Sequence, residues 1–121
     1  MEIKRTYRIA LIGVVAFACV LAGFILEARC ESVEVKYRGL VDLKPFNCTA
    51  VTRSSFVQRV CFDRPNSYML ISLSGTYYHY CDIDGGTVAS LLSAESMGRF
   101  YNSQIKGRFD CRTGRVPIYS Q

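Results

Sequence analysis

Tryptophan is absent from this chain of 121 residues, and histidine occurs once, as His79. One imidazole cannot build a multi-histidine metal site, and it leaves any serine or thiol nucleophile a single base to work with. No two of the six cysteines stand at C-x-x-C spacing, so the close pairs of zinc sites and dithiol redox motifs are missing as well. There is no G-x-S-x-G elbow, and Gly98 and Gly107 are too isolated to form a phosphate-cradling loop. Low-complexity runs and internal repeats are also lacking, which excludes solenoids and long disordered linkers. Prolines number three, and no strong excess of one charge asks for a polyanionic partner: fifteen Lys and Arg stand against ten Asp and Glu.

One long apolar run is present. Lys4, Arg5 and Arg8 precede eighteen uncharged residues, Ile9 to Leu26, and the sequence turns polar at Glu27. A basic start, an apolar stretch and a small-residue exit mark an export signal. Eighteen residues lie between the length of a cleaved signal peptide and that of a spanning helix. Residues 1–30 are therefore expected to be a signal peptide, cut before Glu31 after Ala28-Arg29-Cys30, or an uncleaved anchor through residues 9–26. Either way the remainder is exported: periplasmic or secreted after cleavage, otherwise tethered to the inner membrane with the domain outside the cytoplasm. Arg29 just before Cys30 does not suit a lipoprotein box.

Residues 31–121 carry eleven basic and eight acidic side chains, a net +3. They keep four cysteines, Cys48, Cys61, Cys81 and Cys111. An exported domain of this size has a modest core and gains a few kcal/mol from each disulfide. Two structural disulfides and no metal are expected.

The pattern points to an α+β domain. Val33, Val35 and Tyr37 alternate with charged residues, which predicts a short strand, and residues 38–55 read as a connecting stretch. Phe56 to Phe62, Tyr68 to Leu73 and Thr76 to Cys81 are rich in aromatic and β-branched residues. Asp63 to Ser67 supplies a turn, and Ser74-Gly75 a two-residue hairpin loop. The result is a three-stranded antiparallel β-meander. Its register sets Phe62 and Tyr80 opposite Met69, and Val60 and Tyr78 opposite Ile71. With Leu73, these residues form the core face; Arg59, Cys61, Leu70, Ser72, Tyr77, His79 and Cys81 form the other. Two short helices cover the core face, one capped by Thr87 and one by Ser93 or Ser96, the second presenting Met97, Phe100, Tyr101 and Ile105. The predicted architecture is this meander packed against two short helices, preceded by an N-terminal apolar helix.

The register bears on the cysteines. Cys61 and Cys81 lie two strands apart, about 10 Å, beyond the reach of a disulfide. The favoured pairing is Cys48–Cys61 with Cys81–Cys111, which ties entry loop and exit tail to the sheet.

Residues 54–63 (SSFVQRVCFD), 75–80 (GTYYHY) and 96–107 (SMGRFYNSQIKG) resemble a KTSC domain, the family named for the C-terminal extension of some lysyl-tRNA synthetases and found in small bacterial proteins. The resemblance runs from residue 54 to about 112, so the chain divides into residues 1–30, an N-terminal strand and connector at 31–53, and a KTSC-like domain at 54–121. It places the family motif on Tyr78, Tyr80, Ser96, Gly98, Asn102 and Ile105. It implies no catalytic activity and no cofactor, and it carries a suggestion of RNA binding, which export argues against.

Candidate binding residues are Arg59, Tyr77 and His79 on the second face, with Arg99, Lys106 and Arg108 from a basic C-terminal region that also holds Arg112 and Arg115. Such a set suits an envelope partner, either a protein or an anionic surface, better than nucleic acid. Ser72, Glu95 and Asp110 lack the neighbours that a nucleophile or general acid needs. The expected function is a non-enzymatic binding module of the cell envelope. RNA binding through Arg59, Tyr77 and the basic tail, or inhibition of an envelope hydrolase, are the alternatives.

Overall fold

The computed structural model describes residues 31–119. The expected export helix, with Cys19 and Cys30, lies outside the described residues. Residues 31–119 form an α+β fold built on one six-stranded sheet, twice the width that the sequence pattern suggested. Its strands are β1 (Ser32–Val35), β2 (Gly39–Asp42), β3 (Asn47–Ala50), β4 (Val57–Asp63), β5 (Tyr68–Leu73) and β6 (Thr76–Cys81), in the spatial order β2-β1-β6-β5-β4-β3. Neighbours are antiparallel except β1 and β6, which run parallel.

The expected meander is the β4-β5-β6 centre of this sheet, in the expected register. Phe62 and Tyr80 flank Met69, and Val60 and Tyr78 flank Ile71. Ser74 and Gly75 turn the β5–β6 hairpin with φ of 49° and 89°. Two successive positive φ values match the right-handed twist of the strands they join, which is why glycine follows a small polar residue there.

The stretch expected to be a connector, residues 38–55, holds β2 and β3 instead. Each strand is four residues long and is held by its neighbour: β2 by β1, and β3 by β4. Segments so short, with turn-forming residues at their ends, carry too little periodicity to be read in isolation.

The first face is the core face, as the alternation requires. Val60, Phe62, Met69, Ile71 and Leu73 pack against Ile83 and against Val88, Leu91, Met97, Tyr101 and Ile105 from the covering helices. Full burial of a side chain of this kind contributes about 1.5–3 kcal/mol. Helix α1 spans Gly85–Ser93, and its cap is Asp84 rather than Thr87: the Thr87 N–H and hydroxyl both donate to the Asp84 carboxylate. Asp84 wins because it stands three residues ahead of an N–H that is otherwise unpaired at the helix start. Helix α2 (Met97–Phe100) is capped by Ser96 and runs into a π-helical turn, Tyr101–Ile105.

The second face is covered too, which corrects its expected exposure. Val35, Val41, Leu43, Cys61, Tyr68, Leu70 and Cys81 form a second buried cluster, flanked by Phe46, Val116 and Tyr119. Disulfides join Cys48 to Cys61 and Cys81 to Cys111, the favoured pairing. Among the described residues no helix is long and apolar enough to cross a membrane, and no cluster of potential metal ligands occurs.

Candidate functional site

Strand β1 meets β6 at one position, Val35 beside Tyr77, where the Lys36 N–H donates to the Tyr77 carbonyl at 2.9 Å. Four residues on, the Cys81 N–H donates to the Phe109 carbonyl at 2.8 Å as the C-terminal tail returns. Alternation along β6 sends the backbone groups of Tyr77, His79 and Cys81 outward, away from β5. The Tyr77 carbonyl and the Cys81 N–H are thereby satisfied. The His79 N–H and C=O find no backbone partner among the described residues.

This gap beside β6, past the point where β1 leaves it, opens into a cleft of about 740 Å³. Tyr37 and Arg38 from the β1–β2 turn form one side, Tyr78, His79 and Tyr80 the floor, and Gly107, Arg108 and Asp110 to Arg112 with Val116 the other side.

The His79 ring is fixed from beneath. Arg38 donates to the Tyr68 hydroxyl at 2.7 Å and to the Pro117 carbonyl at 2.8 Å, and the Tyr68 hydroxyl lies 2.9 Å from His79 Nδ1. A guanidinium only donates, so the Tyr68 hydroxyl accepts from Arg38 and bridges it to His79 Nδ1. Burial holds the imidazole below its ordinary pKa; Arg38 adds to the effect and Asp110 partly opposes it. The ring is therefore neutral at physiological pH. Nε2 has no partner among the described residues, and no buried side-chain nitrogen or oxygen there lacks one, so Nε2 must reach solvent.

The rim is basic and aromatic. Tyr37 is 86% exposed at a φ of 69°, a left-handed conformation uncommon for a bulky residue. The Lys36 ammonium lies 5.4 Å from the Tyr37 ring centre and 5.9 Å from that of Tyr78. Arg112 is bound to Asp110, whose carboxyl it holds down at about 2. Arg108 makes no ion pair or hydrogen bond with a described side chain.

Of the residues singled out from sequence, His79 and Arg108 meet at this cleft with Tyr78 and Tyr80. Tyr78 and Tyr80 also pack against the first core, and the Tyr80 hydroxyl contacts that of Tyr101. Arg59 and Tyr77 are together elsewhere on the second face: the Tyr77 hydroxyl is 3.3 Å from a guanidinium that Glu31 grips at 2.6 and 3.1 Å. Both are half-buried, with the Arg59 guanidinium engaged by Glu31. Arg99 stands apart on α2 with Ser96 and Asn102, and Lys106 is exposed where the tail begins. Gly98 lies against Phe56, and Ile105 is wholly buried. The Ser72 hydroxyl donates to Gln58, not to His79. Sequence reasoning missed Tyr37, Arg38 and Tyr68. Tyr37-Arg38-Gly39 carried one signal, a glycine after an exposed aromatic and a cation.

Residues 53–109 match the family model described as KTSC domain. Among solved structures the chain is similar to a KTSC domain protein from Yersinia pestis, at 27% identity and a TM-score of 0.51, over 54% of this chain and 92% of that one. No curated protein matches it.

Proposed function

Residues 53–109 form a KTSC domain, and from that premise we propose that the protein is a small non-enzymatic binding module acting outside the cytoplasm, with the cleft on β6 as its ligand seat. One observation carries the reading. His79 lines a single concave site with a backbone N–H and C=O that no described backbone group pairs and with a neutral ring, beside Arg108, which pairs with no described side chain. Convergent polar groups on an aromatic floor are what orient a small ligand. The charge balance favours a ligand with an anionic group, since Asp110 is already neutralised by Arg112. Catalysis is not favoured, because the carboxylate at this cleft, Asp110, is held by Arg112, and no serine or free thiol is among the lining residues. The two disulfides suit an oxidising compartment, and the apolar run at residues 9–26 supplies a route to one.

The test is a titration of the isotope-labelled protein with small carboxylates, phosphates and sugars, followed by nuclear magnetic resonance. Shifts confined to His79, Tyr78 and Arg108, lost in His79→Phe, with the ligand recovered unchanged, are expected. A converted ligand would make the protein an enzyme. Tight oligonucleotide binding that weakens steeply with salt would return nucleic acid to first place.

A further inference from the structure

A second groove lies at the β3 edge of the sheet. Strand β3 is the last in the order, paired to β4 on one side. The Val51 N–H donates to the Gln58 carbonyl at 2.9 Å, so Val51, Thr49 and Asn47 point their backbone groups at β4. Cys48 and Ala50, between them, point theirs outward. No described residue pairs with either. The free edge thus offers two N–H and two C=O groups at the spacing of an extended chain.

Beside this edge runs a groove of about 420 Å³, with Thr49 on one side, Val60 and Phe62 as floor, and Val88 and Leu92 of α1 on the other. Arg64 closes one end. Its guanidinium lies 5.6 Å from the Phe62 ring centre, in space left free because residue 85 is glycine: a Cβ there would stand 2.5 Å from Arg64 Nη1. No carboxylate among the described residues pairs with it.

We propose that the β3 edge and the α1 groove form a peptide-binding site. An extended segment adds to β3 antiparallel, sets an apolar side chain on Phe62 and Leu92, and ends with its C-terminal carboxylate at Arg64. Main-chain hydrogen bonds supply affinity in this mode, while the groove selects the side chain. The antiparallel direction follows from the position of Arg64, which stands by the Asn47 end of β3 where a partner's C-terminus would fall. This site shares no residue with the β6 cleft and stands whether or not the cleft binds a ligand.

The test uses the full chain with its disulfides formed and a library of random heptapeptides displayed with free C-termini. Peptides with an apolar residue near a free carboxylate are expected to be enriched. Ala50→Pro removes one outward N–H without touching the β4 ladder, a position where an edge strand tolerates proline. It should weaken the enriched peptides about tenfold or more, as should Arg64→Glu or C-terminal amidation, with the melting temperature kept. Equal binding to Ala50→Pro, or no enrichment, would overturn the proposal. So would a wild-type dimer that Ala50→Pro dissociates, since a second copy would then be the occupant of the edge.

Discussion

His79 lies between two demands: the cleft needs its free nitrogen, and the second core needs its buried half. Desolvation first, then the positive charge of Arg38, keeps the folded pKa below the ordinary value of 6.5. The unfolded chain therefore binds the proton at a pH where the folded protein refuses it. Stability from this source is complete above the ordinary imidazole value and is lost as pH falls toward the lowered one. Melting temperatures from about pH 7.5 down to about pH 5.5 should fall for the wild type and fall less for His79→Gln, which keeps an acceptor for Tyr68 without a titrating ring. Parallel curves for the two proteins would mean that folding leaves the proton affinity of the ring unchanged. Tyr68→Phe belongs to the same network. It removes the hydroxyl that joins Arg38 to His79 and leaves two half-buried polar groups short of a partner, a loss on the order of 1–3 kcal/mol in urea titration.

At the scale of elements, long aromatic strands were legible and short polar ones were not. The β4-β5-β6 register follows from two turns and the alternation of Val60, Phe62, Met69 and Ile71, because a slip of one residue would turn that whole set to the other face. β2 and β3 have no such redundancy. The cleft was legible only in its floor, Tyr78 to Tyr80, since Tyr37 and Arg38 come from a turn whose second strand, β2, is too short to show a period. Helix α2 shows how a single hydroxyl defines an element. It has four residues before the π-helical turn begins, and the Arg99 N–H donates to Ser96 Oγ at 3.2 Å. A helix this short is not self-supporting. Ser96→Ala is expected to cost about 1 kcal/mol and Ser96→Asp to recover most of it, read from chemical unfolding. A silent Ser96→Ala would assign the start of α2 to packing by Met97 and Tyr101 alone.

For the whole molecule, the boundaries of the KTSC match explain the second core. Residues 53–109 supply Cys61, Tyr68, Leu70 and Cys81 from the back of the sheet, and the covering side chains, Val35, Val41, Leu43, Phe46, Val116 and Tyr119, all come from outside that span. Each flanking extension is stapled to the domain once: the N-terminal one through Cys48–Cys61 and the C-terminal one through Cys81–Cys111. The two bridges should therefore act separately. They close loops of 13 and 30 residues, and chain entropy alone makes them worth about 3 and about 3.6 kcal/mol. Replacing Cys81 and Cys111 with serine should cost slightly more stability in urea than replacing Cys48 and Cys61. It should also dissolve the cleft, whose far side runs from Gly107 to Val116. The Cys48/Cys61 double variant should keep the cleft, with β3 loosened at the far edge of the sheet. Hydrogen exchange reads both effects at once, with new exposure at the position-81 amide, which faces the Phe109 carbonyl, in one variant and at Thr49 and Val60 in the other. If either variant released both extensions together, the second face would be one cooperative unit, and the disulfides would be staples on a structure that already held.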